Sequence, residues 1–260
     1  MKSLLELTEA SKDDLPEIYC DLDEVLVDFI AGANKAVGGT FVTYDKEKRW
    51  KIINQTKSSE LNIIPKFGMQ FFYSKDGRKF LEKFKKPFFL DVKIADVPNT
   101  ALSALDSLKD LKGLRYITVH ASGGLDMLKA VVKKAKSINK KITVCGVTIL
   151  TSLNNKSVKE IGYNNKVDKL VLKQVSLIKK SGATGCICSA NEASIIRKKY
   201  KSLFVVTPGI RLPGDKTNDQ KRVMTPKDAF NNKASAIVIG RSLTSSKIKN
   251  NLKRLIDHLN

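Results

Sequence analysis

From residue 61 onward, short apolar runs alternate with amphipathic stretches along the chain. The apolar runs are typical of buried strands, and in order they are LNIIPKF, FFLDVKI, YITVHA, ITVCGVTIL, GCICSA, LFVVTPG and SAIVIG. The clearest segments with apolar residues at helical spacing are 77–86, 124–138, 167–182, 191–200 and 243–259. Continuous apolar strands separated by helices predict an α/β fold whose parallel strands are covered on both faces.

An eighth strand candidate, EIYCDLD at 17–23, precedes these seven. Eight strand–helix repeats in 260 residues predict a closed (β/α)8 TIM barrel, in which chemistry gathers at the C-terminal ends of the strands. The alternative is an open doubly wound sheet, but the Gly-rich dinucleotide loop that such a sheet often carries is absent.

The segment 24–60 is too long for one helix and two short loops. It predicts two helices joined near Gly38-Gly39, and therefore an atypical, extended connection after the first strand. We expect an N-terminal tail over 1–15 and a single barrel over 16–260, of which 16–60 is the atypical part.

The chain carries a net charge of +21, from 47 basic and 26 acidic residues. The lysines are spread over nearly every helix-like segment, and few aromatic residues lie among them, so we predict solvated basic faces and no nucleic-acid partner. No apolar run reaches membrane-spanning length, and Glu6 and Glu9 interrupt the start before a signal-like core forms. We therefore expect a cytoplasmic protein with no membrane association.

Four cysteines lie inside apolar, strand-like runs: Cys20, Cys145, Cys186 and Cys188. No second pair or nearby histidine completes a zinc set around Cys186 and Cys188. We expect all four to be buried, reduced thiols, which suits a cytoplasmic location.

Two charged residues, Asp91 and Lys93, interrupt the second half of the otherwise apolar strand FFLDVKI. Residues two apart in a strand share a face, so Asp91 and Lys93 point the same way, and Asp96 lies just past the strand's end. Carboxylates on either side of an ammonium offset its burial and hold it protonated. From these residues alone, a catalytic array and a structural salt bridge on a half-exposed strand are equally good interpretations.

The stretch DVKIADVPNT resembles the DLKFHDIPNT signature of orotidine 5'-phosphate decarboxylases. Further matching motifs follow in the family's order: KFGMQFF, VHASGG, VTILTS, CSANEA, VTPGIRLPGDKTNDQKRVMTP and VIGRSLT. The resemblance covers about residues 61–260. Keto-gulonate phosphate decarboxylases share Asp-x-Lys-x-x-Asp but lack both the Pro-Asn-Thr turn and the long Thr-Pro-Gly-Ile-Arg loop.

The resemblance implies a cofactor-free decarboxylation of orotidine 5'-phosphate to UMP and CO2. The family uses a Lys-Asp-Lys-Asp array, which is matched here by Lys66, Asp91, Lys93 and Asp96. Lys93 would stabilise the developing negative charge and deliver a proton. The family builds each site at a homodimer interface, so Asp96 and Thr100 would serve the neighbouring subunit.

The same resemblance implies the substrate contacts. Thr151 matches the residue that binds the pyrimidine edge. The contacts implied on the phosphate side are Pro208, Arg211, Gln220, Gly240 and Arg241. Barrels commonly bind phosphate at the ends of strands seven and eight, and arginine adds bidentate hydrogen bonds.

The N-terminal segment departs from this pattern. IYCDLDEVLVDF resembles the Asp-x-Asp motif of haloacid-dehalogenase-type nucleotidases, in which Asp21 would be the nucleophile and Asp23 the acid/base. Glu24 replaces the usual glycine, and no later segment completes a magnesium site. We interpret the segment as the first barrel strand, with Asp23, or as a rival Asp45, at the position that binds ribose in the family.

Three further functions stay open at this point. The first is a magnesium-dependent phosphohydrolase that uses Asp21 and Asp23. The others are a catalytically impaired nucleotide-binding barrel and a non-enzymatic binder that uses the basic charge.

Overall fold

Eight parallel strands, each paired with its neighbours in sequence, close into a barrel. The computed structural model describes residues 17–21, 62–215, 223–244 and 248–259. The strands are β1 (Glu17–Asp21), β2 (Asn62–Gly68), β3 (Phe88–Ile94), β4 (Leu114–His120), β5 (Thr143–Val147), β6 (Gly185–Ile187), β7 (Phe204–Ile210) and β8 (Ala236–Ile239). Because β1 pairs with both β2 and β8, the predicted (β/α)8 barrel is confirmed and the open-sheet alternative is wrong.

Helices follow the strands and cover the outside of the barrel. They are α1 (Met69–Phe72), α2 (Gly77–Lys83), α3 (Pro98–Asp106), α4 (Gly124–Ile138), α5 (Asn155–Glu160), α6 (Val167–Lys180), α7 (Ala190–Lys199), α8 (Pro226–Asn231), α9 (Arg241–Thr244) and α10 (Ile248–Leu259), with a 3-10 turn over Ala121–Gly123. Within the described part of the chain, no helix has the length and apolar character needed to cross a membrane.

The helix predictions are confirmed best where the amphipathic pattern is long. The helix predicted over 124–138 has those bounds, whereas α3 begins at the Pro-Asn-Thr sequence that the pattern assigned to a turn. Pro98 suits the first helical position, because an N–H group there would have no intrahelical acceptor and its absence costs no hydrogen bond. The tail over 1–15 and the two helices predicted within 24–60 lie outside the described residues.

Two apolar clusters form the core. Strand residues alone fill the barrel interior, and they are Tyr19, Phe89, Tyr116, Cys145, Val206, Ala236 and Val238. The Tyr19 ring packs edge-on against Phe89 and Tyr116, with centroid distances of 5.0 and 5.2 Å. A larger cluster lies between the strands and the surrounding helices. All four cysteines are buried free thiols, as expected from the sequence.

A polar layer lies directly above this interior apolar layer. Since residues two apart in a strand share a face, each interior apolar residue is followed by a second interior residue nearer the C-terminal mouth. Four such pairs are Tyr19 and Asp21, Ile64 and Lys66, Phe89 and Asp91, and Tyr116 and Thr118. The alternation that fills the barrel thus also brings these polar side chains together.

Candidate active site

A pocket of about 280 Å³ opens at the C-terminal mouth of the barrel. Four charged side chains line one side of it: Asp21, Lys66, Asp91 and Lys93. The remaining lining residues are Phe89, Val147, Ile149, Leu150, Thr151, Ser152, Ile187, Cys188, Pro208 and Val238. The pocket therefore joins a charged wall to a mostly apolar one, as small-molecule sites commonly do.

The charged side chains form a row in which acids and bases alternate. The Lys66 ammonium lies 3.0 Å from Asp21 Oδ1 and 3.0 Å from Asp91 Oδ2, and Lys93 Nζ lies 2.9 Å from Asp91 Oδ1. Strand register places Asp21 beside Lys66 on adjacent strands. The Lys66 side chain is only 5% exposed, so its two carboxylates offset the cost of removing its charge from water.

Asp91 is bound through both of its carboxylate oxygens. Its Oδ1 accepts hydrogen bonds from Lys93 Nζ and from Thr118 Oγ1, and its Oδ2 accepts from Lys66 Nζ. Burial alone would raise the pKa of Asp91, but the neighbouring Lys66 and Lys93 ammonium groups outweigh burial and hold the pKa well below its usual range. The carboxylate is therefore ionised throughout the neutral pH range.

A bulge in β3 shapes the position of Lys93. Leu90 pairs with Ile117 and Ile94 with Val119, so three residues of β3 (91–93) lie opposite Thr118 alone. Lys93 adopts a left-handed backbone conformation with φ of 50°, which costs a non-glycine residue about 1–2 kcal/mol. Its backbone N–H donates to Thr118 Oγ1 at 2.9 Å.

His120 ends β4 close to this row. Burial, followed by the charge of Lys93, lowers the pKa of His120, and Asp91 opposes the effect only in part. The imidazole is therefore neutral at pH 7, and it is not among the residues that line the pocket.

The structure brings five of the predicted site residues into one pocket. These are Lys66, Asp91, Lys93, Thr151 and Pro208. Asp96 and Thr100 are not part of it, since both are exposed at the start of α3. Asp96 Oδ1 instead accepts the Val97 N–H at 2.7 Å, and the residue Val97 is itself 63% exposed.

Predicted phosphate contacts follow β7 and β8. Arg211 comes directly after β7, while Gly240 and Arg241 come directly after β8, and both arginines are half-buried. The loop after β7 is tied to α9, which follows β8, because the Leu212 N–H donates to Ser242 Oγ at 3.4 Å. Gln220, Asp23 and Asp45 lie outside the described residues.

Asp21 is a pocket residue that the sequence interpretation did not include in the decarboxylase site. The interpretation put Asp23 or Asp45 at the ribose position, yet Asp21 ends β1, lines the pocket and contacts Lys66. Gly240 leaves room for it, because a Cβ there would lie 3.3 Å from the Asp21 Cβ. The signal was available in the alternation from Tyr19, which points Asp21 and not Cys20 into the barrel.

The nucleotidase resemblance of the N-terminal segment is not supported. Asp21 is bound to an ammonium group, whereas a phosphatase nucleophile works beside a magnesium ion. Across the described ranges, no group of three or more His, Cys, Asp or Glu side chains could hold a metal ion.

Replacing Asp91 by asparagine should destabilise the protein at pH 7, because the Lys66 and Lys93 ammonium groups then lose the buried carboxylate that lies between them. The folded pKa of Asp91 lies below the unfolded value of about 3.9, so its contribution is fully present above about pH 4. It is lost as the pH falls towards the folded pKa, by up to about 1.4 kcal/mol per pH unit.

Urea unfolding of wild type and Asp91→Asn between pH 7 and pH 3 measures this difference. Asp106→Asn is the matched control, since Asp106 also contacts two lysines, Lys109 and Lys134, but at the surface. We expect the control to change stability far less. An Asp91→Asn effect that is no larger than the control's, or that is the same at pH 7 and pH 3, would contradict this account.

Known proteins with related sequences and structures agree with the geometry. The sequence profile described as "Orotidine 5'-phosphate decarboxylase / HUMPS family" matches residues 44–254. Orotidine 5'-phosphate decarboxylase from Coxiella burnetii is 39% identical over 180 residues, which cover 67% of this chain and 76% of the relative. The enzyme of that name from Buchnera aphidicola subsp. Schizaphis graminum is 37% identical over 211 residues, covering 76% and 88%.

A solved structure extends the similarity to nearly the whole chain. The crystal structure of orotidine 5'-phosphate decarboxylase from Lactobacillus acidophilus superposes with a TM-score of 0.69 at 29% identity, covering 95% of this chain and all (100%) of the other. The resemblance inferred from the ordered motifs is therefore confirmed, and this chain belongs to the orotidine 5'-phosphate decarboxylase / HUMPS family.

Proposed function

We infer that this chain is an orotidine 5'-phosphate decarboxylase, which converts orotidine 5'-phosphate to UMP and CO2 in the last step of de novo pyrimidine biosynthesis. The observation that carries this function is the row of Lys66, Asp91 and Lys93 at the mouth of a closed barrel. The row stands in a chain that belongs to the decarboxylase family.

In the reaction, the bond between C6 and the carboxylate breaks and its electron pair stays on C6. This pair lies in the ring plane, where the π-system cannot delocalise it. The Lys93 ammonium faces the growing charge across the pocket and then transfers a proton to C6, so that UMP and CO2 leave and the amine takes a new proton from water. Fixed charges that favour the transition state suffice for this step.

Asp91 and Lys66 prepare the site for that step. The Asp91 carboxylate lies where the substrate carboxylate would meet like charge, and this repulsion ends when CO2 departs. Lys66 holds Asp91 in place through a 3.0 Å contact. Its ammonium group is itself held in position because Asp21 also binds it. The charges are thus arranged before the substrate arrives, which avoids reorganisation during the reaction.

Binding contacts follow from the surrounding loops. Thr151 lines the pocket and would bind the pyrimidine edge. The proposed phosphate contacts are Pro208, Arg211, Gly240 and Arg241, joined by Gln220 from outside the described residues. The hydrogen bond between the loop after β7 and α9 supports a common phosphate site.

We assign the ribose contact to Asp21. The family carries an aspartate at the end of its first strand that holds the ribose hydroxyls, and Asp21 is the residue at the end of β1. Its side chain is about one-third exposed (33%) within the pocket, so it can accept hydroxyl hydrogen bonds while it stays paired with Lys66.

The active form is proposed to be a homodimer with shared sites, in which Asp96 and Thr100 of one subunit complete the neighbour's pocket. In a single chain both residues are exposed, while the neighbouring Val97 presents an apolar side chain to solvent. Association would cover Val97 and bring the fourth charge of the array to Lys93.

We also propose that the protein is located in the cytoplasm. Its four cysteines are buried free thiols, which suits the reducing conditions of that compartment.

The first test follows loss of orotidylate absorbance with purified protein in EDTA. We expect turnover in EDTA, and Lys93→Ala should lower kcat by at least about 10³-fold because both charge stabilisation and proton delivery are lost. Lys140→Ala, at an exposed lysine, is the control. Loss of turnover in EDTA, or an active Lys93→Ala variant, would contradict the function, and UMP binding without turnover in the wild type would identify an impaired barrel.

The second test concerns the ribose contact. Asp21→Asn should raise KM by about 10–100-fold with a smaller change in kcat, because a charged hydrogen-bond acceptor is lost while the amide oxygen can still bind Lys66. Steady-state kinetics of Asp21→Asn, Asp23→Ala and Asp45→Ala compare the three candidates. An unchanged KM for Asp21→Asn together with a raised KM for either of the others would overturn the assignment.

The third test mixes two inactive variants, Lys93→Ala and Asp96→Ala. If sites are shared, a hybrid dimer has one site with both residues intact, so an equal mixture that exchanges subunits freely should recover about a quarter of wild-type activity. Each variant mixed with itself is the control. Recovery no greater than that of the separate variants, after exchange has been verified with tagged subunits, would refute the shared site.

A further inference from the structure

Thr118 of β4 touches both halves of the central charge pair without lining the pocket. Its hydroxyl donates to Asp91 Oδ1 at 3.0 Å and accepts from the Lys93 backbone N–H at 2.9 Å. We propose that Thr118 is a positioning residue for the decarboxylation, because one hydroxyl fixes both the Asp91 carboxylate and the backbone that carries the Lys93 ammonium. This inference rests on the proposed function of the same site.

The two partners of the Thr118 hydroxyl fix which of them it donates to and which it accepts from. A hydroxyl has a single proton, and a carboxylate can only accept, so the proton must point at Asp91. A lone pair is then left to face the Lys93 N–H. Thr118 is only 1% exposed, so water does not compete for either contact. The hydroxyl therefore has one orientation that satisfies the Asp91 carboxylate, the Lys93 N–H and its own proton and lone pair.

The bulge explains why Lys93 depends on this contact. Residues 91–93 lie opposite Thr118 alone, so the regular strand ladder is interrupted where the catalytic side chains leave the strand. The left-handed conformation of Lys93 is unfavourable and persists only where its surroundings hold it. The Thr118 hydroxyl replaces the missing ladder acceptor and so holds the strained residue.

The carboxylate end of the contact controls where the Lys93 ammonium sits. Asp91 Oδ1 is shared by two donors, Thr118 and Lys93 Nζ, while Oδ2 binds Lys66. Without the hydroxyl, Oδ1 keeps Lys93 as its only donor from this set, and the carboxylate is free to rotate towards it. The ammonium would then be drawn towards Asp91 and away from C6. Such a displacement affects the chemical step more than substrate binding.

Thr118→Val tests the hydroxyl at nearly constant volume, and Thr118→Ser restores it. We expect Thr118→Val to lower kcat by about 10–100-fold, since small misplacements of reacting groups cost about that much, with KM within about 3-fold of wild type. Thr118→Ser should recover kcat to within about 3-fold. Loss of a purely structural contact would not produce this split or this rescue.

Thr207→Val is the matched control. Thr207 is a fully buried barrel-strand threonine whose hydroxyl has no hydrogen-bond partner among the described residues. The same change there should leave kcat unaltered, because the Thr207 hydroxyl bonds neither Asp91 nor Lys93. Thermal melts of all variants show whether each is folded at the assay temperature. If Thr118→Val does not fold, Thr118→Cys takes its place, because a thiol is a weaker donor and acceptor of similar size and should lower kcat by at least about 5-fold.

Three results would overturn the proposal. They are a folded Thr118→Val or Thr118→Cys with wild-type kcat, equal losses in Thr118→Val and Thr118→Ser, and a change confined to KM. Failure of the proposed function is distinguishable, because the wild type itself would then show no decarboxylation.

Discussion

The carboxylate of Asp91, held between two ammonium groups, is the interaction on which the rest of the site depends. Buried charges are tolerated only when they are paired and hydrogen-bonded, and Asp91 has a donor on each oxygen. Removing either lysine would leave one oxygen of the buried Asp91 carboxylate without its ammonium donor. The members of the row therefore depend on one another for their stability. Within one chain its two acids and two bases balance, so the site itself offers little excess charge to an anionic substrate. The arginines after β7 and β8, which we propose as phosphate contacts, together with the overall charge of +21, would supply the attraction at longer range.

The barrel produces this row through ordinary strand alternation, with one deliberate irregularity. Interior positions continue from an aromatic layer of Tyr19, Phe89 and Tyr116 to a polar layer two residues further along each strand. Asp91 obeys this rule, whereas Lys93 reaches the pocket through a bulge and a left-handed backbone. A regular strand would also have put Lys93 on the same face as Asp91. The bulge therefore does not decide which face Lys93 occupies. It changes the position along the barrel axis and the direction of the Lys93 ammonium, and we propose that Thr118 of the neighbouring strand holds the bulge in place.

Sequence alone predicted what depends on periodicity and on motif order. The eight strands, the bounds of α4 and the meeting of Lys66, Asp91 and Lys93 follow from alternation and from the ordered decarboxylase motifs. Asp21 was not assigned to the decarboxylase site, because the Asp-x-Asp spacing suggested phosphatase chemistry and the ribose position was given to the second aspartate or to Asp45. Two-residue alternation from Tyr19 would have pointed to Asp21. Nothing in the local sequence could reveal Thr118, because its role depends on the cross-strand register and on a bulge in another strand.

The same geometry gives a physical reason for the proposed second subunit. The row begins with Asp21 and ends with Lys93, whose side chain is 28% exposed and, among the described residues, contacts one carboxylate, Asp91. Asp96 follows only three residues later, but it already accepts the Val97 N–H at the start of α3, and both residues face solvent. A neighbouring chain that covers Val97 could set its own Asp96 against Lys93 without disturbing that turn. In the proposed dimer, burial of apolar surface and completion of the charge array are then one event, so a separated subunit would lack part of its catalytic charge.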